Sequence, residues 1–422
     1  MATYLLIAGL VIFLFFKGII PAWTRVNSDF ANYYVSAKLI VSGESLNQLY
    51  NNEWFQQRIH DNGINTPGKF APNPPLISWM MIPLSSLQPL QAQQAFTLIN
   101  LIFLMFGIFI LKEITHLTLT HSTLLILGGG LSLVNNFAFG QVYLIMTVFI
   151  LLAILLHTRN YPWVAGFILG LFTALKYFPI IIIAGYSLVG LRRIPSDPNV
   201  PISRLSSPTF ELLLSSVLTL LGLISIQFGF FGKPLLYEFF TSSFLPHLDG
   251  QLTGQGPYSL QFQSWDGLSR HLFTPDPIFN PNPFMNWPAG RTILKLSALF
   301  LTVSAMVLTL NHYKNACHQV RKAVFIVMPT LAALVVLPAS ATYHFVLLLV
   351  PIAVLISEKL LEGSRMIWVL TIYFLIGFIP YGFLFRLSEN RGILLAYPRL
   401  LLMSLLFCVV TAGLLKKEPS PA

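Results

Sequence analysis

Long blocks of apolar residues follow one another along this chain, separated by short polar joints. The pattern is not the strict alternation of a half-buried strand. Whole windows are apolar on every side, which fits helices in lipid, where each backbone polar group must be satisfied within its own segment. The blocks predict spans near 4–22, 92–111, 122–137, 141–157, 162–175, 177–191, 208–230, 291–311, 323–339, 342–357, 366–386 and 393–415. The shorter piece from Pro75 to Leu87 predicts a re-entrant or surface segment. The run from Tyr4 to Trp23 is too long for a signal-peptide core and lacks a basic leader, so it reads as a retained first helix. Between 162 and 191, Lys176 and Pro179 interrupt the apolar run. A lysine at mid-membrane costs several kcal/mol, so two short helices joined at the surface are the cheaper arrangement.

Composition agrees with this reading. The chain is 55% hydrophobic and 9% charged, where a soluble domain carries roughly 25% charged residues. The expected fold is an all-α polytopic membrane protein. A single integral-membrane domain over 1–422 would hold about 12 transmembrane helices with surface helices and loops. The net charge of +10 does not point to nucleic acid, because the basic residues cluster in short loops. Cys317 and Cys408 are far apart, which argues against a disulfide or a metal site.

Loop charge predicts the orientation. Lys112, Arg159, Arg192, Arg193, Arg204, Lys314, Arg321, Lys322, Lys359, Arg365, Lys416 and Lys417 fall on alternate loops, which marks that side and the tail 416–422 as cytoplasmic. The other side then holds the long loops 23–91 and 231–290. Arg386, Arg391 and Arg399 run against the rule and would snorkel to outer headgroups or hold an anionic lipid.

Polar residues of interest gather on that outer side. Asp29 opens a predicted helix with Ser28 as its cap and Gly43 as its stop. Phe30, Tyr34, Ala37 and Val41 make an apolar stripe, with Asp29, Asn32 and Ser36 on another face, as for a helix lying in the membrane interface with its polar face toward the bundle. The other outer residues are Asn73, Gln141, Lys176 and His344, together with Tyr258, Gln261, Gln263, Ser264, Trp265, Asp266, Arg270 and His271. Each has a plainer role open to it: Gln141 satisfying helix ends, Lys176 snorkelling, His344 capping a helix. Several such groups around one carboxylate fit an enzyme better than an anchor. A secondary transporter coupling ions through Asp29 and Lys176 is the alternative, but no internal repeat or mid-span acid supports it. There is no phosphate loop, dinucleotide fingerprint, zinc helix or acid-x-acid pair.

The ordered motifs resemble a known family. Asp29, Phe30, Tyr33, Tyr34, Ala37, Gly43, Leu49 and Tyr50 are followed by Pro74-Pro75-Leu76, Pro83-Leu84 and Gly140-Gln141. Ala174-Leu175-Lys176 with Pro179, Gln263-Ser264-Trp265-Asp266-Gly267 and Tyr343-His344 complete the series. In order and spacing this resembles glycosyltransferase family 87 over roughly residues 1–360. The resemblance implies a C-type glycosyltransferase bundle with a polyprenyl-phosphate-sugar donor, usually mannose. It also implies transfer outside the cytoplasm to a lipid or glycan hydroxyl, as in members that extend phosphatidylinositol mannosides. Such a protein would sit in the plasma membrane, with membrane lipids, donor and glycan or glycolipid acceptor as partners and no cofactor, metal or nucleic acid.

Asp29 corresponds to the family's catalytic base. One departure stands out: Asn73 replaces the tyrosine of the usual Tyr-Pro-Pro block. The expected chemistry is inverting and metal-independent, with Asp29 accepting the acceptor's proton. Lys176 is the first candidate for the leaving phosphate, followed by His344, Arg270 and Arg291. Tyr33, Tyr34, Asn73, Gln141, Gln263, Ser264 and Asp266 are candidate substrate contacts.

Overall fold

The computed structural model describes residues 1–191, 207–251, 256–389 and 392–418. Arg192, Arg193, Arg204 and Arg391, used above to orient the chain, lie outside the described residues. The described fold is helical, and its only extended pairings are isolated bridges between Phe262 and Ala341 and between Asp276 and Asn280.

In order, the first helices are α1 (Ala2–Leu14), α2 (Ile20–Thr24), α3 (Ser28–Val41), α4 (Asn52–Asp61) and α5 (Pro89–Thr115). Next come α6 (Leu119–Leu127), α7 (Leu131–Phe139), α8 (Tyr143–Thr158), α9 (Pro162–Lys176), α10 (Ile180–Leu191) and α11 (Pro208–Glu238). The rest are α12 (Leu245–Leu248), α13 (Trp265–Phe273), α14 (Pro288–His312), α15 (His318–Val336), α16 (Leu349–Ser357), α17 (Ser364–Phe378), α18 (Tyr381–Glu389) and α19 (Pro398–Leu415). Two 3-10 segments, Pro75–Leu84 and Thr342–Leu348, interrupt the series.

By length and apolarity alone, fewer described helices qualify as spans than the sequence pattern predicts. Six described helical stretches are long and apolar enough to span a membrane, within Ala2–Val41, Pro89–Thr115, Pro208–Leu248, Pro288–His312, His318–Val336 and Pro398–Leu415. The pair α6 and α7, bent by 71°, makes a seventh if it crosses as one. Expected spans near 141–157, 162–175, 177–191, 342–357 and 366–386 form apolar helices of 10–17 residues. At about 1.5 Å per residue these fall short of the roughly 30 Å hydrocarbon layer. Of these, α8 and α16 are largely enclosed by protein, whereas Trp163 and Phe167 of α9, Ile180 of α10 and Ile367 and Trp368 of α17 are exposed. Leu144 to Val148 of α8 are five consecutive buried residues, so packing against neighbours mimics the lipid signal. The expected two-helix reading of 162–191 holds, with α9 ending at Lys176 and α10 starting at Ile180.

The chain forms two compact units, residues 1–126 with 133–246, and residues 127–132 with 247–422. In the first, α9 lies against α11 at backbone distance. A Cβ on Gly166 would sit 2.2 Å from the Leu212 oxygen, and one on Gly170 would sit 2.6 Å from the Ser216 oxygen. Glycines four apart let two helices touch without side chains between them, and this seats Lys176 at the end of a rigid rod.

Helix α3 is enclosed by protein on its polar face, as expected of the face turned to the bundle, and over most of its apolar stripe as well. Phe30, Tyr34 and Ala37 are buried, but so are Asn32, Tyr33 and Ser36, while Val41 is exposed. The polar side is covered because the loop after α4 docks onto it, with the Lys69 backbone N–H donating to Asn32 Oδ1 at 2.8 Å. The apolar Pro75–Leu84 segment packs on the same helix as a 3-10 turn rather than crossing.

In the second unit, α14 packs on α13 and α15, and α19 packs on α15 and α17. Arg399, expected to snorkel, is fully buried in the first turn of α19. Its guanidinium donates to Thr342 Oγ1 at 2.6 Å, to the Ile376 carbonyl at 3.2 Å and to the Ile379 carbonyl. Pro380 leaves the end of α17 with orphan carbonyls, and Arg399 satisfies them. It is a structural staple rather than a lipid contact.

Candidate active site

The site in the first unit is built from the entry of α3. Gln93 on α5 donates to the carbonyls of Ala22 and Arg25 and accepts from the Asn27 N–H at 2.8 Å. One buried amide thus fixes the bend that separates the first apolar helix from α3. Asn27 rather than Ser28 is the cap residue, and Asp29 falls in the first helical turn. A carboxylate there is favoured by about 0.3–1 kcal/mol through the helix dipole.

Asp29 is only partly buried. Gln141 Nε2 donates to its Oδ2 at 2.7 Å, and the Tyr33 hydroxyl donates to Gln141 Oε1 at 2.8 Å. The carboxylate can only accept, so the amide turns its nitrogen to Asp29 and its oxygen to the phenol, which donates to it. Gln141 is delivered by the tight turn between α7 and α8. Gly140 has φ of +68°, and a Cβ on it would strike Phe30 Cβ at 2.6 Å, so only glycine lets this turn close on α3.

Lys176 completes the group. Its ammonium donates to Asn73 Oδ1 at 2.7 Å and lies over the rings of Tyr33 (5.3 Å) and Tyr143 (5.1 Å). Asn73 is in turn fixed by its Nδ2 donating to the Phe70 carbonyl at 2.8 Å, and its own carbonyl accepts from Tyr50 at 2.8 Å. The corner after Lys176 is strained, with Tyr177 at φ of +44° and its hydroxyl bonded to the Pro72 carbonyl. Such a backbone persists only where its surroundings hold it. Lys176 is therefore neither snorkelling nor loose.

A second ammonium, Lys69, was not singled out by the sequence reading. It acts electrostatically on Asp29 together with Lys176. Burial holds the Lys69 ammonium down to about 8 from the ordinary 10.5, against the pull of the Asp29 carboxylate. Its loop is pinned by Gln56, which accepts from the Gly68 N–H and donates to the Thr66 carbonyl. The only sequence signal was its place four residues before Asn73 in a loop rich in other polar residues.

The remaining candidate of this unit, Tyr34, turns to structure. Its hydroxyl donates to the Leu87 carbonyl at 2.7 Å, and its ring stacks on Phe30.

The second unit holds the other predicted residues. Gln263 is buried with its amide engaged by backbone, donating to the Leu260 and Ala396 carbonyls and accepting from the Arg399 N–H. Ser264 caps α13 by accepting from the Gly267 N–H at 3.1 Å. His344 Nδ1 accepts from the Ala341 N–H at 3.0 Å, so the plainer capping role is present and places the neutral ring's proton on Nε2.

Arg270 and Arg291 both donate to Asp266, at 3.0 and 2.9 Å, with Lys295 at 3.4 Å. Burial alone would raise the Asp266 carboxyl, but the hydrogen bonds and charges of Arg291 and Arg270 outweigh it and hold the group below its usual value. The two arginines expected at a phosphate thus already share a carboxylate.

The arrangement in the first unit can do general-base chemistry beside positive charge. Asp29 Oδ1 is the oxygen that Gln141 does not touch, and two ammonium groups lie close enough to stabilise an anion. A family model of glycosyltransferase family 87 matches residues 70–338, more than half of the 422-residue chain. The match contains Asn73, Gln141 and Lys176 and stops short of Asp29, Tyr33 and His344. No curated protein and no solved structure gives a match.

Proposed function

The chain belongs to glycosyltransferase family 87, and on that premise we propose that it transfers mannose from a polyprenyl-phosphate donor to a lipid or glycan hydroxyl. As a member with several membrane-length apolar helices it is an integral-membrane glycosyltransferase. The observation that carries the finer reading is the Asp29 carboxylate held by Gln141 and Tyr33 within the influence of Lys69 and Lys176.

In this reading Asp29 Oδ1 accepts the proton of the acceptor hydroxyl as that oxygen bonds to the anomeric carbon. The bond from that carbon to the phosphate oxygen breaks, and its electron pair leaves with the polyprenyl phosphate. Lys176, with Lys69 beside it, offsets the charge that builds on the phosphate. A single carboxylate at the reacting carbon fits direct displacement with inversion. The clustering of basic residues in alternate loops supports a site on the extracytoplasmic side of the plasma membrane.

The test uses purified protein with radiolabelled polyprenyl-phosphate-mannose and an acceptor lipid. Asp29→Asn is expected to abolish transfer while donor binding survives. Near-normal turnover by that variant would remove Asp29 as the base. Transfer of another sugar with mannose refused would overturn the donor assignment.

A further inference from the structure

The stretch from Asp276 to Trp287 reads Asp-Pro-Ile-Phe-Asn-Pro-Asn-Pro-Phe-Met-Asn-Trp. It precedes α14, one of the helices long and apolar enough to cross a membrane. Two apolar pairs, Ile278-Phe279 and Phe284-Met285, stand between prolines and asparagines. None of the four is used in a core: Ile278 is 80% exposed, Phe284 77%, Phe279 60% and Met285 50%.

The stretch is built, not slack. Asp276 and Asn280 pair in an antiparallel bridge, and Asp276 Oδ1 accepts from the Ile278 and Phe279 N–H groups at 2.9 and 2.7 Å. Asn280 Nδ2 donates to the His271 and Thr274 carbonyls, tying the turn to the end of α13. The Met285 and Trp287 N–H groups donate to the Leu272 and Phe273 carbonyls, tying the second pair to the same place.

We propose that this loop is a wedge seated in the bilayer leaflet where α14 begins, with phospholipid as its occupant. Two observations select lipid. The wedge continues the exposed surface of α14, where Ile293, Leu296, Phe300 and Leu301 are all turned outward. Backbone donors at the tip need no water: those of Asp276, Ile278, Phe279 and Asn280 are bonded within the turn, and Pro277 has none. A segment entering hydrocarbon must meet that condition. The proposal does not depend on the sugar-transfer reading.

The test places a nitroxide label on full-length protein in phosphatidylcholine–phosphatidylglycerol vesicles, with Cys317→Ser and Cys408→Ser to clear native thiols. Labels go in through Ile278→Cys and Phe284→Cys, both exposed positions that leave the core untouched. Phe300→Cys serves as the lipid reference and Gln48→Cys as the water reference. At 278 and 284, collision with oxygen is expected to dominate over collision with a nickel chelate, matching position 300. A nickel-accessible label matching position 48 would overturn the proposal. So would exclusion of both reagents, which would mean that a protein or a second copy covers the loop.

Discussion

Lys176 donates its 2.7 Å hydrogen bond to the side-chain oxygen of Asn73. An amide oxygen accepts from a buried ammonium at short range and holds it over the rings of Tyr33 and Tyr143. Asn73 is thus the residue that aims the cation. Asn73→Ala leaves that buried ammonium without its acceptor, a loss of about 1–3 kcal/mol. A lower melting temperature and a several-fold higher KM for donor are expected. Asn73→Asp keeps the geometry but gives Lys176 a full counter-charge that competes with phosphate. Donor KM rises there with the melting temperature preserved, and steady-state kinetics beside thermal unfolding separates the two outcomes.

Tyr33→Phe removes the hydroxyl that anchors the oxygen end of the Gln141 amide, so its nitrogen is held less firmly on Asp29. The expected effect is a loss of about tenfold in kcat with donor KM little changed, since ring contact with Lys176 survives. Gln141→Leu removes the bond to the carboxylate itself and costs more, within the roughly 10²–10⁴-fold range of general-base contributions. Single-turnover assays with saturating donor report this step directly.

Transfer should also depend on pH through Lys69. Its ammonium is held down to about 8, so positive charge beside Asp29 is present below that pH and lost as pH rises through it. Activity is expected to fall on the alkaline side around that value. Burial also holds the Lys176 ammonium down to about 8. Lys69→Arg, which keeps its charge, should therefore flatten part of this limb, while Lys69→Met should run lower and keep only the share of Lys176. A kcat/KM profile for donor between about pH 6 and 10 decides the matter. An unchanged alkaline limb in Lys69→Met would show that another group is responsible.

Asp266→Asn tests a structural role. The carboxylate balances Arg270, Arg291 and Lys295, and leaving cations uncompensated in a buried cluster costs on the order of 3 kcal/mol. Because the folded carboxyl lies below its ordinary 3.8, its contribution is present above that pH and is lost as pH falls through the folded value. Thermal unfolding near neutral pH should drop for the variant, and the gap to the parent should narrow in strong acid.

Much of the site in the first unit was legible because its members interrupt apolar runs. Asp29, Gln141 and Lys176 each mark the end of a hydrophobic block, where a polar residue stands out. Asn73 was legible through the prolines behind it. Lys69 was not, because it sits among other polar residues of a loop, and its importance comes from docking through Asn32 and Gln56. Helix length was less legible for a related reason: α8 and α16 are apolar all round and enclosed by protein, and periodicity alone does not distinguish that from lipid. Arg399 looked misplaced by charge rules until the open carbonyls of α17 accounted for it.

Tyr33 reaches both charges at once, its hydroxyl through Gln141 to the acid and its ring to the ammonium. Proton acceptor and cation therefore cannot be tuned independently by changes at this position. Attempts to widen donor range through it would disturb turnover as well, and variation is better sought at the asparagine or in the neighbouring loop.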